Sequence, residues 1–404
     1  MVPSGWQIRA ISDLLERVNK PVIVNQNSKY REIGIRSHCK GIFYKEAVSG
    51  KSLGNKRVFH IEPDCLVMNI VFAWEQAVAR TTKKELGMIA SHRFPMFKPK
   101  NNLCDIDYIL YLFKTAYGKH LLSLASPGGA GRNKTLGQAE FARMKISVPP
   151  FDEQKKIAKI LSTWDKSITI TEQLLEKSQA QKKSLMQQLF TSKKRFPGHL
   201  DNWKNYSLGE LGDTFTGLSG KSKGDFGSGL PYIPYINIHK NNAIDVSSLE
   251  YVKINTDEHQ SKVQYGDIFF TTSSETVVEV GMSSVLLNHV GEVYLNSFCF
   301  GFRLFNFQTL LPEYARYLLR SAGVRRAISV MGQGATRYNL SKKQLMKLKI
   351  GRPSLEEQQK IAATLATADR EIKALEQRLV CLKQEKKSLM HQLLTGKRRV
   401  KVWV

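Results

Sequence analysis

The amino-acid sequence predicts an α+β protein in which two mixed α/β globular segments alternate with two long helices that pair with each other. Three observations lead to this prediction: a segment that occurs twice, the heptad spacing within that segment, and the β-rich character of the residues between its copies. Residues 149–195 recur as residues 353–399. Because the repeat period is close to half of the 404 residues, the chain is predicted to contain a duplicated unit.

The first globular segment is predicted to span residues 1–148. Short runs of Tyr, Phe, Ile and Val alternate there with Gly, Asn and Ser, which is typical of short strands joined by turns. Phe94 and Phe97 fit the alternation of strand interiors and are expected in the core. A glycine-rich loop, Gly128-Gly129-Ala130-Gly131, leads into Arg132 and Asn133 shortly before this segment ends.

Residues 149–196 are predicted to form the first long helix. No Gly or Pro occurs from Phe151 to Phe196, and Pro149 and Pro150 stand just upstream. Apolar residues follow alternating steps of four and three, which is the pattern of a coiled coil. At about 1.5 Å per residue, such a helix is roughly 55–65 Å long. The seam residues predicted for this helix are Ile157, Leu161, Trp164, Ile168, Leu175, Leu185 and Leu189.

The second globular segment is predicted to span residues 197–348 and to have the same fold as the first. Trp203 repeats the position of Trp6 near the start of a segment, and the loop 332–339 repeats the glycine-rich loop of the first segment. The alternating phenylalanines of this segment are also expected in the core of a sheet. They are Phe298, Phe300 and Phe302.

Residues 349–404 are predicted to contain the second long helix, which opens on a capping box of Ser354 and Glu357. Lysines stand at equivalent seam positions of the two helices, Lys182 and Lys386. This shared feature favours pairing of the two helices over the alternative, in which two unrelated amphipathic helices pack on separate cores. The seam residues predicted for the second helix are Ile361, Leu365, Ile372, Leu375, Leu379, Leu382, Leu389 and Leu393.

The net charge of +26 predicts a polyanionic partner, because a charge of this size destabilises a compact chain through self-repulsion. Nucleic acid is favoured over an anionic membrane surface, since the basic residues are spread along the chain. No apolar run approaches the ~20 residues of a membrane span. Five cysteines without a paired short spacing favour a reducing cytoplasm over disulfides or zinc.

Motifs that resemble catalytic ones lack an essential residue. Val148-Pro149-Pro150-Phe151 resembles the Asn-Pro-Pro-Phe box of amino-methyltransferases, but Val148 cannot bind the target amine as the asparagine does. Gly50-Lys51-Ser52 and Gly220-Lys221-Ser222 match the end of a phosphate-binding loop without its earlier glycine. We therefore predict no catalytic residue, no cofactor and no metal site.

With catalysis excluded, the charge predicts DNA recognition by side chains on exposed loops. Arg can fork onto guanine and Asn onto adenine, whereas Lys mainly binds phosphate. In the first globular segment the candidates are Lys29, Tyr30, Arg31, Arg36, Ser37, Lys40, Arg132, Asn133 and Lys134. In the second they are Lys221, Lys223, Tyr235, Asn237, His239, Lys240, Ser273, Ser274, Arg337, Tyr338 and Asn339.

The order globule–helix–globule–helix, with Pro-x-x-x-Glu-Gln-x-x-Ile-Ala opening each helix, resembles the specificity subunit of type I restriction–modification systems. The resemblance covers nearly the whole chain. It also includes the Gly-Ala-Thr-Arg-Tyr-Asn-Leu stretch at 334–340. The matching residues are Pro149, Glu153, Gln154, Ile157 and Ala158, then Pro353, Glu357, Gln358, Ile361 and Ala362, and the Lys-Lys-Ser-Leu-Met-x-Gln-Leu runs 182–189 and 386–393.

The resemblance implies that residues 1–148 and 197–348 are target recognition domains and that residues 149–196 and 349–404 are helical spacers paired antiparallel. It further implies a subunit without catalytic residues that selects one bipartite site on double-stranded DNA. Such a subunit holds two modification (methyltransferase) subunits and, in the full complex, the restriction (translocase and nuclease) subunits. The first half departs from the family pattern in its shorter Gly-Gly-Ala-Gly-Arg-Asn loop.

Two other functions stay open at the level of the sequence. One is a self-contained DNA methyltransferase or nuclease, which S-adenosylmethionine binding by the isolated chain would support. The other is a coiled-coil DNA-binding regulator without a modification partner. Neighbouring genes for a methyltransferase and a helicase-nuclease would separate this regulator from a specificity subunit.

Overall fold

The computed structural model describes residues 2–128, 134–199, 202–334 and 336–401. The chain divides into two compact units, which we describe separately. Unit 1 comprises Met1–Glu172 together with Gln377–Val404, and unit 2 comprises Gln173–Glu376. Each unit therefore contains one globular segment and one end of each long helix.

The strands of unit 1 form one two-stranded sheet, β1-β10, and two four-stranded sheets, ordered β2-β9-β6-β7 and β4-β3-β8-β5. Strand β1 runs antiparallel to β10, so the start of the globular segment pairs with its end. The strands are β1 (Gln7–Ala10), β2 (Leu15–Val18), β3 (Lys29–Ile35), β4 (Ile42–Ser49), β5 (Val58–His60), β6 (Leu66–Met68), β7 (Val78–Arg80), β8 (Ile89–Ser91), β9 (Met96–Pro99) and β10 (Lys145–Val148).

Helices cover the main core of unit 1. Tyr108, Phe113 and Phe141 are fully buried there, and Ile157 and Leu161 of the first long helix pack into the same core. The start of that helix is thus part of the globule rather than a free rod. The helices are α1 (Ile11–Leu14), α2 (Gly50–Leu53), α3 (Ile106–Lys114), α4 (Ala116–Leu124), α5 (Gln138–Arg143) and α6 (Phe151–Leu189).

Unit 2 has a four-stranded sheet ordered β12-β19-β15-β17, a three-stranded sheet β14-β13-β18, and the two-stranded pairs β11-β21 and β16-β20. The strands are β11 (Lys204–Ser207), β12 (Gly212–Thr216), β13 (Phe226–Ile233), β14 (Glu250–Val252), β15 (Ile268–Thr271), β16 (Ser273–Ser274), β17 (Ser283–Val285), β18 (Tyr294–Leu295), β19 (Cys299–Leu304), β20 (Tyr338–Asn339) and β21 (Lys349–Arg352). The helices are α7 (Leu208–Leu211), α8 (Tyr235–Lys240), α9 (Pro312–Leu318), α10 (Ala322–Val330), α11 (Lys342–Leu345) and α12 (Leu355–Leu394).

The two units repeat one fold. In each, the first and last strands pair antiparallel, and a four-stranded sheet has the same order, β2-β9-β6-β7 in unit 1 and β12-β19-β15-β17 in unit 2. Leu136 N donates to Ile70 O in unit 1, and Leu340 N donates to Thr272 O at the equivalent place in unit 2. The predicted mixed α/β character and both long helices are confirmed.

The glutamine of the repeated Glu-Gln motif ties each long helix to its own globule. Gln154 Oε1 accepts from Asp105 N at 2.9 Å, and Gln154 Nε2 donates to Leu103 O at 3.1 Å and Pro149 O at 2.9 Å. Gln358 makes the equivalent three hydrogen bonds in unit 2. Both side chains are buried and satisfied, so this part of the motif has a structural role.

The glutamate of the same motif binds the end of the other repeat. In unit 1, Glu153 is 3% exposed and accepts from Arg399 Nε at 2.8 Å and Nη2 at 2.7 Å. In unit 2, Glu357 is 1% exposed and makes the same two-pronged contact with Arg195 at 2.7 and 2.8 Å. In each pair the glutamate is buried and the arginine reaches it from a more exposed position, which connects the segment after each long helix to the start of the other one.

In each unit, a lysine from the last part of one long helix also contacts an aspartate from the first part of the other long helix. In unit 1, Lys386 contacts Asp165, which accepts a further hydrogen bond of 2.7 Å from Tyr111 Oη. The Lys386 ammonium lies 5.6 Å from the centroid of the Tyr111 ring. Burial raises the pKa of Asp165, but the hydrogen bonds from Lys386 and Tyr111 outweigh it, so that the pKa lies below its ordinary value.

Unit 2 repeats this cluster with Lys182, Asp369 and Tyr317. Lys182 contacts Asp369, Tyr317 Oη donates to Asp369 Oδ2 at 2.7 Å, and the ammonium lies 5.6 Å from the ring centroid. Arg316 adds a second cation, 2.7 Å from Asp369 Oδ2. The pKa of Asp369 is lowered although burial opposes it, because Lys182 and Tyr317 hydrogen-bond its charged form.

The seam residues differ in burial along the helices. Ile157 and Leu161 are fully buried against the globule of unit 1, as are Ile361 and Leu365 in unit 2. Leu189 and Leu393 near the helix ends are also buried. The remaining seam residues are half-buried: Trp164, Ile168, Leu175, Leu185, Ile372, Leu375, Leu379, Leu382 and Leu389.

The structure corrects two expectations from the sequence. Helix α6 ends at Leu189 instead of continuing to Phe196, because Ser192 adopts a left-handed φ of +58° and Lys194 N donates back to Gln188 O at 3.2 Å. Phe298 is 66% exposed and not part of a core, since β19 begins only at the next residue. Phe97, Phe300 and Phe302 are buried as expected, and Phe94 packs half-buried against a core cluster.

Candidate nucleic-acid interface

Four sequence-predicted residues of unit 2 form a short antiparallel ribbon. Ser273 pairs with Asn339 and Ser274 with Tyr338. A further bridge between Gln333 and Asn339 closes the glycine-rich loop on itself, with N–H···O distances of 3.0 and 2.8 Å. These pairs therefore join the described residues on either side of position 335 as a hairpin.

Glycine at position 334 is required by the closure of the hairpin. Gly334 has φ of +136°, and a Cβ there would lie 2.0 Å from Arg337 O. Backbone in this region strains any other residue. Arg337 follows in the loop with an exposed side chain, and its carbonyl oxygen lies against Gly334.

Helix α8 lies beside the ribbon. Tyr235 Oη donates to Ser273 O at 2.9 Å, and the Tyr235 ring stacks on His239 with centroids 5.8 Å apart. His239 Nε2 is 3.8 Å from Glu279 Oε1. The structure thus brings Tyr235 and His239 together with Ser273 and the hairpin of Arg337.

Two arginines that the sequence reasoning missed hold this region in place. Arg320 donates to the carbonyl oxygens of Ile238, His239 and Asn241 at the end of α8, and to Ser283 O, at 2.7–3.1 Å. Arg325 donates to three carbonyl oxygens of the segment 278–281 at 2.6–2.9 Å. Burial lowers the pKa of both arginines, that of Arg320 to about 10, so Arg320 stays cationic at neutral pH.

The acidic and aromatic neighbours of the ribbon were also missed. Glu275, Glu279 and Phe298 line a cavity of about 410 Å³ together with Tyr235, Arg337 and the two serines of β16. The positive charge of the chain predicts cations and amides at a DNA surface, and it gives no signal for carboxylates. Phe298 was assigned to the core from its spacing to Phe300.

Several candidates of unit 2 have side chains that are already bound. Asn237 is 3% exposed and donates to Asp245 O at 2.8 Å and Ser248 O at 3.2 Å, so its amide holds a loop. Lys221 forms an ion pair with Glu258. The Ser274 hydroxyl is directed to Thr276 O at 2.5 Å. By contrast, Lys223, Lys240 and Asn339 are exposed.

In unit 1, Arg36 and Lys40 are exposed on the turn between β3 and β4. The turn is docked on residues 75–76, because His38 N donates to Glu75 O at 2.7 Å and Ser37 Oγ donates to Glu75 Oε2 at 2.9 Å. His38 and the next residue have φ of +58° and +53°. Ser37 is therefore a structural contact, and Arg36, although exposed, donates to Ile42 O at 3.4 Å and lies 5.0 Å from the centroid of the Phe43 ring.

Other candidates of unit 1 lie on either side of this turn. Lys134 Nζ lies 5.7 Å from the centroid of the Trp74 ring, next to the residue that holds the turn. Lys29 and Arg31 are exposed near the other end of β3, and Tyr30 Oη accepts from Asn25 N at 2.9 Å. At about 3.3 Å per residue, β3 separates this group from the turn by roughly 20 Å. Arg132 and Asn133 lie outside the described residues.

Within the described ranges, no group of three or more His, Cys, Asp or Glu side chains could hold a metal ion. The cysteines are free thiols, and burial raises the pKa of Cys104 and of Cys299 to about 12. No helix in the part of the chain that the structure covers is both long and apolar enough to cross a membrane. The available side chains are suited to binding through charge, hydrogen bonds and aromatic contact.

Comparison with known proteins agrees with this arrangement. The family model described as type I restriction modification DNA specificity domain matches the chain twice, over residues 3–178 and 200–384. The type I restriction enzyme MjaVIII specificity subunit of Methanocaldococcus jannaschii is 25% identical, over 99% of this chain and 94% of its own length.

Solved structures of similar fold include the HsdS subunit from Thermoanaerobacter tengcongensis, with a TM-score of 0.54 and 17% identity over 98% of both chains. The type I restriction–modification S subunit from M. genitalium has a TM-score of 0.59 and 13% identity over 100% of both chains. The family match spans most of both units. The chain therefore belongs to the family of type I restriction–modification DNA specificity subunits, which recognise DNA and are not themselves catalytic.

Proposed function

We propose that this chain recognises one bipartite, asymmetric site on double-stranded DNA and holds the other subunits of a type I restriction–modification complex on it. Residues 1–148 and 197–348 are its target recognition domains, and residues 149–196 and 349–404 are its helical spacers. The observation that carries this proposal is one fold occurring twice with unlike exposed surfaces. Two recognition domains with one fold but different surface side chains select two different half-sites.

The surfaces differ after the equivalent strands β3 and β13. In unit 1, β3 is followed by a tight turn with the exposed cations Arg36 and Lys40. In unit 2, β13 is followed by α8, which carries Tyr235 and His239 beside a serine ribbon. Arginine and lysine contribute phosphate contacts and guanine contacts, while unit 2 adds aromatic and acidic groups. The net charge of +26 supports the phosphate contacts that both readers share.

We further propose that α6 and α12 pair as an antiparallel coiled coil. In unit 1, Asp165 contacts Lys386 and Glu172 contacts Lys383. In unit 2, Ser178 contacts Glu371 and Lys182 contacts Asp369. Within each unit, rising residue numbers in α6 meet falling numbers in α12, as an antiparallel pair requires. The half-burial of the middle seam residues is also what a two-stranded pair would have.

The helices would then set the distance between the half-sites. Helix α6 has 39 residues, which correspond to about 58 Å at 1.5 Å per residue. At about 3.4 Å per base pair, this length spans roughly 17 base pairs. Each recognition domain is joined to its helix by the buried Glu-Gln motif, so the domain and the helix act as one rigid part.

Two modification (methyltransferase) subunits would bind the duplicated helical region, because a duplicated surface offers two similar sites for one partner. Restriction (translocase and nuclease) subunits complete the complex. We place the complex in the cytoplasm, where its DNA substrate lies and where the free cysteines stay reduced.

The test is methylation by the reconstituted complex. We expect the chain together with its modification subunit to methylate one bipartite motif, detected by sequencing of methylated bases, and either protein alone to give no such motif. Exchange of residues 197–348 for another recognition domain should change one half-site only. Methylation by the isolated chain, or an unchanged motif after the exchange, would contradict the proposal.

A further inference from the structure

The cavity between α8, the β16–β20 ribbon and the turn before β19 combines three kinds of side chain. It has a volume of about 410 Å³ and is lined by the rings of Tyr235 and Phe298, the carboxylates of Glu275 and Glu279, and the guanidinium of Arg337. Rings provide a surface for a base, a carboxylate accepts hydrogen bonds, and a guanidinium donates them. This combination suits the edge of a base pair more than a phosphate.

Phe298 is an exposed aromatic residue on a constrained backbone. Phe298 is 66% exposed, while its N–H donates to Asn296 Oδ1 at 2.8 Å and its carbonyl accepts from Thr272 N at 3.0 Å. Exposure of a large apolar ring to water is unfavourable, and contact with an apolar surface such as a base lowers the free energy. Because these two hydrogen bonds already fix the backbone of Phe298, binding of a ligand to the ring does not have to order that backbone and loses little conformational entropy there.

Glu275 has an uncommitted carboxylate. It forms no hydrogen bond or ion pair with any residue that the structure describes. Glu279 differs, since it accepts from Thr276 Oγ1 at 2.8 Å and lies 3.8 Å from His239 Nε2. A free carboxylate on the DNA-binding side of a protein with charge +26 would oppose phosphate binding. A base edge that carries an amino group is the part of DNA that it can bind favourably.

Glu275 and Arg337 line the same cavity without contacting each other, and this combination favours one base pair. In the major groove, cytosine offers the N4 amino donor, and its guanine partner offers the O6 and N7 acceptors that arginine binds in a fork. An A·T pair also offers an amino group, on adenine, but its thymine partner has a single acceptor and a methyl group. An acid and an arginine in one cavity therefore match C·G better than A·T.

We propose that Glu275 and Arg337 together read one C·G base pair of the second half-site in the major groove, and that Phe298 packs against the neighbouring base. This inference rests on the proposed function, since it names the base contacts of the second recognition domain. Glu275 accepts from cytosine N4, and Arg337 donates to guanine O6 and N7.

The test compares methylated motifs of complexes that contain the wild-type chain, Glu275→Gln or Glu275→Ala. We expect one position of the second half-site to lose its preference for C·G by between about 5-fold and 150-fold, because a good base contact has that discriminating effect. With Glu275→Gln the preference should move towards adenine, whose N6 and N7 atoms glutamine binds. The first half-site should be unchanged, which also shows that the complex is folded.

Asp257→Asn is the matched control, because Asp257 is an exposed acid of unit 2 outside the cavity. Both neutral variants should bind non-cognate DNA more tightly at low salt, but only Glu275→Gln should change the motif. Phe298→Ala should weaken the preference at the adjacent position and leave the C·G position intact. An unchanged motif in both Glu275 variants would overturn this inference, whereas absence of any bipartite motif with the wild-type chain would overturn the proposed function itself.

Discussion

Arg320 is a half-buried cation that holds the end of α8 in the second globular segment. It lies between α9 and α10 and binds four backbone carbonyl oxygens, three of them at the end of α8. The last carbonyl groups of a helix have no partner within the helix, and a cation there also interacts favourably with the helix dipole. We therefore expect Arg320→Ala to release α8, together with Tyr235 and His239 on it.

The loss of stability expected for Arg320→Ala follows from the hydrogen bonds that this substitution removes. A hydrogen bond to a charged group contributes about 1.5–3 kcal/mol, and such bonds within one network do not add fully. Water entering the space left by the side chain recovers part of the loss. We expect Arg320→Ala to lower the free energy of unfolding of unit 2 by about 3–5 kcal/mol. Arg320→Lys should recover only part of it, because one ammonium cannot reach all four oxygens.

The assay combines urea unfolding with hydrogen exchange. Exchange should rise in residues 235–241 of Arg320→Ala and stay unchanged in unit 1. Arg326→Ala is the matched control, because Arg326 is exposed on the neighbouring helix, and it should change stability by less than about 0.5 kcal/mol. Equal stability and equal exchange in the Arg320 and Arg326 variants would refute the assignment of α8 to this arginine.

Three further predictions concern the helices. Arg399→Ala should lower the free energy of unfolding of unit 1 by about 2 kcal/mol in urea, because it leaves the buried Glu153 carboxylate without its guanidinium partner. A double-mutant cycle of Arg399→Ala with Glu153→Gln that shows no coupling energy would contradict this. The pKa values of Asp165 and Asp369 are lowered in the folded state, so the stabilisation is full above about pH 4 and is lost as the pH falls through the folded-state pKa. Asp165→Asn with Asp369→Asn should flatten the dependence of Tm on pH in that acid range, and a profile like that of the wild type would count against the clusters. Inserting one heptad in both long helices, after residues 172 and 376, should lengthen the spacer of the methylated motif by about 3 base pairs and leave both half-sites unchanged. An unaltered spacer would show that the helices do not set the distance between the half-sites.

The long helices and the duplication were predictable because their signals are local. A stretch without Gly or Pro and with a regular heptad pattern leaves few alternatives to a helix, and a repeat is visible without any structure. The Glu-Gln motif was visible too, but its role was not. Only the fold shows that Gln154 holds the loop before α3 and that Glu153 binds an arginine nearly 250 residues later in the chain.

The recognition residues were less predictable, because exposure depends on where a strand starts and which loop a side chain meets. Phe298 and Phe300 have the same spacing as strand neighbours, yet one is exposed and the other buried. Asn237 has the right chemistry for a base contact, but its amide is used within the protein. No sequence signal indicates Glu275, because an acid is not expected to contact DNA in a chain with a net charge of +26.

The sequence alone determined that this protein is a duplicated, basic chain of two globular segments and two long helices, because periodicity, composition and repetition are properties of the chain itself. Tertiary structure decided which side chains remain free to meet DNA. The physical reason is that burial and hydrogen bonding are settled between residues distant in sequence. The ribbon of Ser273 and Asn339, the support of α8 by Arg320 and the cavity beside Phe298 are all contacts of this kind.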